Sequence, residues 1–145
     1  KLHDSFAGAA EKAKAAGLGL GYHNHDFEYV TLADGSRPID HLIGNGVVSE
    51  LDIGWVARAG KDAAAEIDKL ADSTIAFHIK DLAPAGTAEE DGWADVGHGT
   101  IDWKALWPHI EKAKNAKILV AEHDNPADWK RFAERSFAAI KALVS

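Results

Sequence analysis

Eight histidines and twenty-three acidic residues are spread along this chain. A subset recurs in one kind of place, at the end of a short apolar run. His23, with His25 two residues on, follows the run at 18–22, and Asp52 lies near the end of the run that opens at Val47. His78 sits within Thr74-Ile75-Ala76-Phe77-His78-Ile79, and Glu122, with His123 and Asp124 behind it, follows the run at 117–121. Two imidazoles and two carboxylates brought together make a mixed nitrogen and oxygen donor set for a divalent cation, which suits Mn, Zn, Co or Mg. The chain has no cysteine, which excludes disulfides, thiolate ligands and a thiol nucleophile. Taken singly, each residue has an ordinary structural reading: Asp52 could bond a neighbouring loop, His78 could be a satisfied core histidine, and Glu122 could pair with Lys80 or Arg58. The joint pattern carries the reading, because four separate runs end this way. We expect His23, Asp52, His78 and Glu122 to be metal ligands.

These runs read as buried strands, and the segments between them read as helices. Helix is expected over 4–16, with Gly17 placed to end it, then over 38–43 with Pro38 in the first turn. Further helices are expected over 61–71, 103–113 and 129–144, the last opened by Asn125-Pro126-Ala127-Asp128. Strands are expected over 18–22, 47–53, 74–79 and 117–121. A helix followed by four strand–helix units is the pattern of a parallel α/β fold, in which functional groups gather at the C-terminal ends of the strands. A doubly wound sheet fits that count, whereas a complete (β/α)8 barrel needs about 250 residues. At 145 residues, this is one domain's worth of chain.

The formal net charge of -7 argues against a nucleic-acid partner, which normally meets a basic face. No apolar run approaches the roughly 20 residues of a membrane span. With no methionine and an opening of Lys1-Leu2-His3, upstream sequence is expected. Val96-Gly97-His98-Gly99-Thr100-Ile101-Asp102 is a weak match to a phosphate cradle, and a tight loop capped by Asp102 is the preferred reading. Trp55 and Trp93 could wall a ligand pocket. Lys80 and Asp81 could contact substrate or only satisfy loop carbonyls.

Five segments, in order, resemble the sugar phosphate isomerase/epimerase family of xylose isomerase-like TIM barrels, which also includes endonuclease IV. They are Gly21-Tyr22-His23-Asn24-His25-Asp26-Phe27-Glu28-Tyr29, Leu51-Asp52-Ile53-Gly54-Trp55 through Asp62, Phe77-His78-Ile79-Lys80-Asp81, Val96 through Asp102, and Ala121-Glu122-His123-Asp124-Asn125-Pro126. The resemblance covers nearly the whole chain. It implies parallel (β/α) units forming strands five to eight, the C-terminal half of a TIM barrel, with residues 1–145 a single segment lacking the N-terminal half. It also implies that Asp52, His78 and Glu122 fall on three family metal positions, with His23 at the fourth, where many members carry Glu before Asn-His. Glu28 is considered as a partial replacement for that carboxylate.

The activity this implies is metal-dependent isomerisation or epimerisation of a sugar or keto-sugar by proton abstraction beside a carbonyl. Glu122 would act as base, with His25 or Lys80 returning a proton or polarising the oxygen. Elimination or hydration of a 3-keto-sugar is the enzymatic alternative, and a non-catalytic barrel fragment the other. Endonuclease activity fits poorly, since the chain is acidic and a trinuclear zinc site needs more ligands. We expect a small-molecule partner, no nucleic acid, no membrane, a homo-oligomer covering the open barrel edges, and a cytoplasmic location, or a periplasmic one.

Overall fold

The computed structural model describes the backbone of residues 2–145 and the side chains of residues 4–145. The elements run α1 (Leu2–Ala15), β1 (Leu20–His23), α2 (Pro38–Leu42), β2 (Val47–Asp52), α3 (Ile53–Arg58), α4 (Ala63–Leu70) and β3 (Thr74–Ile79). They continue with β4 (Asp81–Leu82), β5 (Trp93–Ala94), α5 (Trp103–Ile110), β6 (Ile118–Ala121) and α6 (Trp129–Leu143). The main sheet has the order β1-β2-β3-β6 and every neighbouring pair is parallel. Among the described residues, no helix is long and apolar enough to cross a membrane.

Local chemistry sets the helix boundaries. Gly17 turns left-handed at φ 75°, and the Leu18 N–H closes the end of α1 on the Ala13 carbonyl at 2.9 Å. Asp62, Asp102 and Asp128 cap α4, α5 and α6 by accepting from backbone N–H groups in the first turn. The expected helix over 61–71 proves to be the second of two. Asp52 caps α3, which starts directly off the strand, and Gly60 at φ 68° ends that turn before α4 begins. The expected helix over 103–113 ends its regular part at Ile110 and finishes as turns. The stretch after β3, read as loop, contains the short antiparallel pair β4–β5.

Side chains alternate across the sheet, so paired residues share a face. One face carries Leu51, Phe77 and Ile79, all fully buried, and packs with Ile53, Val56, Ile67, Leu106 and Ile110 beneath the helices. The other face carries Gly21, Val48, Ala76, Ile118 and Val120, with His23, Glu50, Asp52 and His78 towards its C-terminal end. A bulge between β2 and β3 adjusts this register. Ser49 pairs with Thr74 but Glu50 pairs with Ala76, so Ile75 is the extra residue and Asp52 comes level with His78.

Asp81 is buried, and its carboxylate accepts from the backbone N–H groups of Leu82, Gly97, Gly99 and Ile101 and from the Trp103 indole N–H at 2.9 Å. It therefore satisfies loop amides, and the glycine loop spends those amides on protein rather than on phosphate. A Cβ at Gly99 would collide with this carboxylate and with the Leu82 carbonyl. Replacing Asp81 with Asn points an NH2 group at donors that need an acceptor. We expect D81N to lose about 2–4 kcal/mol of stability. Denaturant unfolding should show that loss and hydrogen exchange should show deprotection of residues 97–101; unchanged exchange there would refute the assignment.

Candidate functional site

β1 and β2 are tied at their C-terminal ends by one side chain. The Asn24 amide accepts from the Asp52 N–H at 2.9 Å and donates to the Asp52 carbonyl at 3.1 Å, completing a two-bond lock in a buried setting. This holds the strand end that carries His23 against the one that carries Asp52. Asp52 divides its carboxylate: Oδ1 accepts from the Trp55 N–H at 2.9 Å, while Oδ2 lies 3.2 Å from His23 Nε2 and 3.9 Å from His78 Nδ1. His78 stacks on His23 with ring centroids 4.2 Å apart and directs Nδ1 at Glu122 Oε2 in a close contact.

His23, Asp52, His78 and Glu122 thus converge, each offering one ligand atom within 4.8 Å of the others. Donors held about 2.0–2.2 Å from one cation lie at most about 4.4 Å apart, so the set closes on a divalent ion with small movements. Two carboxylates and two neutral imidazoles carry a charge that such an ion balances. The donor chemistry and spacing therefore fit a metal, and these four are the residues that would hold it.

Lys80 and Glu122 form the other half of the site. Lys80 is fully buried, with Nζ 3.2 Å from Glu122 Oε1 and 2.5 Å from Asp124 Oδ1. The ammonium also lies 4.3 Å from the Trp93 ring centroid and 4.8 Å from that of Trp55. Burying an ammonium costs several kcal/mol, and two anions plus two desolvated cation–π contacts of about 2 kcal/mol each offset it. Its stem passes over Gly54, where a Cβ would lie 2.5 Å from the Lys80 carbonyl oxygen. The His78 bond, and then the Lys80 charge, hold the Glu122 carboxyl at about 2 against the opposing effect of burial. Burial pulls His78 down, but its bonds to Glu122 and Glu50 outweigh that and raise it.

His25 stands beside the four-residue group. Its ring is 5.0 Å from that of His23, 5.1 Å from Trp55 and stacked on Phe27 at 5.5 Å. Trp55 and Trp93 meet edge to face at 4.7 Å, and the Trp55 indole N–H is buried with no hydrogen-bond partner among the described residues. Glu28 is a correction. It is buried, accepting from the Tyr22 hydroxyl at 2.7 Å and from the His25 N–H at 2.6 Å, so it shapes the loop and does not join the four-residue group as a further carboxylate. Tyr22 is pushed up to about 12 by burial and by that bond. Two contributors escaped the sequence reading. Asn24 has no local signal, whereas Glu50, two residues before Asp52 and hence on its face, could have been found by alternation.

A second group, Glu90, Asp95 and His123, also places ligand atoms within 4.8 Å of one another. Arg131 already binds both of its carboxylates, at 2.9 Å to each, and Arg135 binds Asp95 at 3.0 Å. His123 Nδ1 accepts from the Asn125 N–H at 3.2 Å, so its proton is on Nε2, 3.1 Å from Glu90 Oε2 but off the line of a hydrogen bond. Fixed cations fill the place an ion would take.

A sequence profile of the family described as xylose isomerase-like TIM barrel matches residues 1–143. Among solved structures, a sugar phosphate isomerase/epimerase from Parabacteroides distasonis ATCC 8503 is 19% identical, with a TM-score of 0.74 over 99% of this chain and 52% of its own. The probable 3-DHS dehydratase involved in petrobactin synthesis from Bacillus anthracis is 10% identical, with a TM-score of 0.71 over 99% of this chain and 55% of its own. An L-ribulose 3-epimerase is 18% identical, with a TM-score of 0.69 over 98% and 52%. The chain spans about half the length of the solved structures it matches. No curated protein matches it.

The depressed Glu122 carboxyl has a thermodynamic consequence in chelator-treated protein. A carboxylate whose folded value lies near 2 stabilises the fold above its ordinary value of 4.5, and that contribution is lost as pH falls from 4.5 towards 2. Wild type should exceed E122Q in stability at pH 5, with the gap narrowing by pH 3. Denaturant titrations at the two pH values check this, and a gap that widens on acidification would contradict it.

Proposed function

The chain belongs to the xylose isomerase-like TIM barrel family, and from that premise we propose that it carries the metal-binding and acid/base half of a sugar isomerase or epimerase. The observation that supports this most directly is the convergence of His23, Asp52, His78 and Glu122 at the C-terminal end of one sheet, with a buried lysine against the glutamate. We assign residues 1–145 to one segment of the barrel, as strands five to eight. Bound by the four residues, a divalent cation supplies Lewis-acid polarisation of a carbonyl and its adjacent hydroxyl. Two imidazoles favour Mn, Co or Zn over Mg, which prefers oxygen donors.

Glu122 takes the proton from the hydroxyl-bearing carbon next to the carbonyl, leaving an enediolate. Its low carboxyl value keeps it ionised at neutral pH, and Lys80 steadies the negative charge as the proton moves. The His25 ring can then give a proton to an oxygen of the substrate, while Lys80, fully buried, acts through its charge on Glu122. Trp55 and Trp93 exclude water from the ammonium, and the half-buried Trp55 offers its indole to a sugar ring. Return of the proton to carbon gives an isomer or epimer.

A second reading is favoured by His23. Epimerisation across two faces of a carbon uses two opposed acid/base groups, and His23 stands where a second carboxylate would be. With a leaving group on the neighbouring carbon, abstraction by Glu122 yields a dehydrated product instead, from a 3-keto-sugar. Incubation of the Mn(II)-loaded protein with ketoses and 3-keto-sugars in deuterated water separates these outcomes. Deuterium in an isomeric product supports the first reading and a dehydrated product the second, while the absence of both exchange and dehydration with every substrate refutes both. E122Q should lower the rate about 100- to 10,000-fold, with metal content retained more fully than in H78A.

A further inference from the structure

His78 is gripped on three sides. Its flat face stacks on His23, its Nδ1 points into the four-residue group, and its Nε2 lies 2.7 Å from Glu50 Oε1. The last contact follows from the sheet. Glu50 and Asp52 share a face of β2, Ala76 and His78 share the facing positions of β3, and the bulge at Ile75 sets these two pairs level. Were Ile75 paired with Glu50 in regular register instead of bulged, every β3 side chain beyond it would fall on the opposite face, and His78 would join the helix-packed core.

A neutral imidazole has one N–H and one lone pair, and an acceptor on one nitrogen dictates which is which. Carboxylates face both nitrogens of His78, Glu50 at Nε2 and Glu122 at Nδ1; a cation held by Glu122 and the Nδ1 lone pair would leave Glu50 as the acceptor for the N–H, which then sits on Nε2. Given the metal centre proposed above, we infer that Glu50 is the positioning residue of that centre, holding His78 in the Nε2–H tautomer so that Nδ1 is the ligand. Its side chain keeps 38% of its surface exposed, against 11% for His78, so it can be replaced without opening a core cavity.

Three substitutions separate this role from simple charge attraction. E50L removes both acceptor and charge, E50Q keeps an acceptor without the charge, and E50D keeps the charge but retracts it. Affinity for Mn(II) and Zn(II), measured by calorimetry at one pH, should fall about 10- to 100-fold in E50L. E50Q should regain part of the loss, and E50D should resemble E50L. In the Zn(II)-loaded wild type, long-range proton–nitrogen spectra of labelled histidine should show His78 metal-bound at Nδ1 with a downfield proton on Nε2, and that proton should move upfield in E50L. Unfolding curves of the chelated proteins confirm that each variant folds; where E50L does not, the comparison of E50Q with E50D decides.

Equal affinity of wild type and all folded variants, or ligation through Nε2, overturns the role of Glu50 and leaves the metal centre standing. A folded wild type that takes up neither ion overturns the centre itself, and the role of Glu50 with it.

Discussion

An ammonium group sealed from water must be matched by fixed negative charge, and Lys80 imposes that condition on everything near it. Its Nζ draws Glu122 and Asp124 from the end of β6 onto the end of β3. Its position between Trp55 and Trp93 requires both indoles to close over it, and the backbone of α3 must approach so nearly that only glycine fits at position 54. Removing one partner from such a group is costly because the remaining charge stays buried. The lysine therefore fixes the place of Glu122 more firmly than the short strand before it would, and that strand has only four residues.

Much of the site was legible because strand ends are local. His23, Asp52, His78 and Glu122 each follow a run of residues whose apolar character marks a strand, and parallel strands in one sheet bring their C-terminal ends together. The sheet order and the parallel pairing agree with that reading. What escaped it depends on distant partners. Asp81, just past His78 and Lys80, could be read as contacting substrate, yet five donors, on Leu82, the glycine loop and Trp103, absorb its carboxylate. Glu28 looked available and is consumed by Tyr22 and the His25 backbone. No spacing rule distinguishes a carboxylate bonded to backbone from one facing a cavity, since the difference lies in loops that close from many residues away.

The five expected helices form, and one more went unread for a related reason. Residues 53–58 hold Ile53, Val56 and Arg58 around a glycine, too short a stretch for helical periodicity to register, and only the cap from Asp52 shows that a helix starts there. Asp52 thus serves two purposes with two oxygens: one ends the strand by starting the turn, the other faces the imidazoles. The same economy appears at Asn24, whose amide locks the backbone of Asp52 while separating His23 from His25. Local order and site geometry are set by the same bonds, so neither changes alone.

The two faces of the sheet divide the labour. The helix-packed face is closed by Leu51, Phe77 and Ile79, and it carries the stability of the fold through apolar burial. The other face holds small or apolar residues low down and the titratable group at its top, and it stays partly open: Ile118 at its foot is 55% exposed. Carboxylates and imidazoles interact through whatever medium covers them, and a drier cover strengthens each attraction and each repulsion. The closing of this face and the electrostatics of the site are therefore one variable, read out by the same residues: any surface that packs on Val48, Ala76 and Ile118 also sets the dielectric around Glu50, His78 and Glu122.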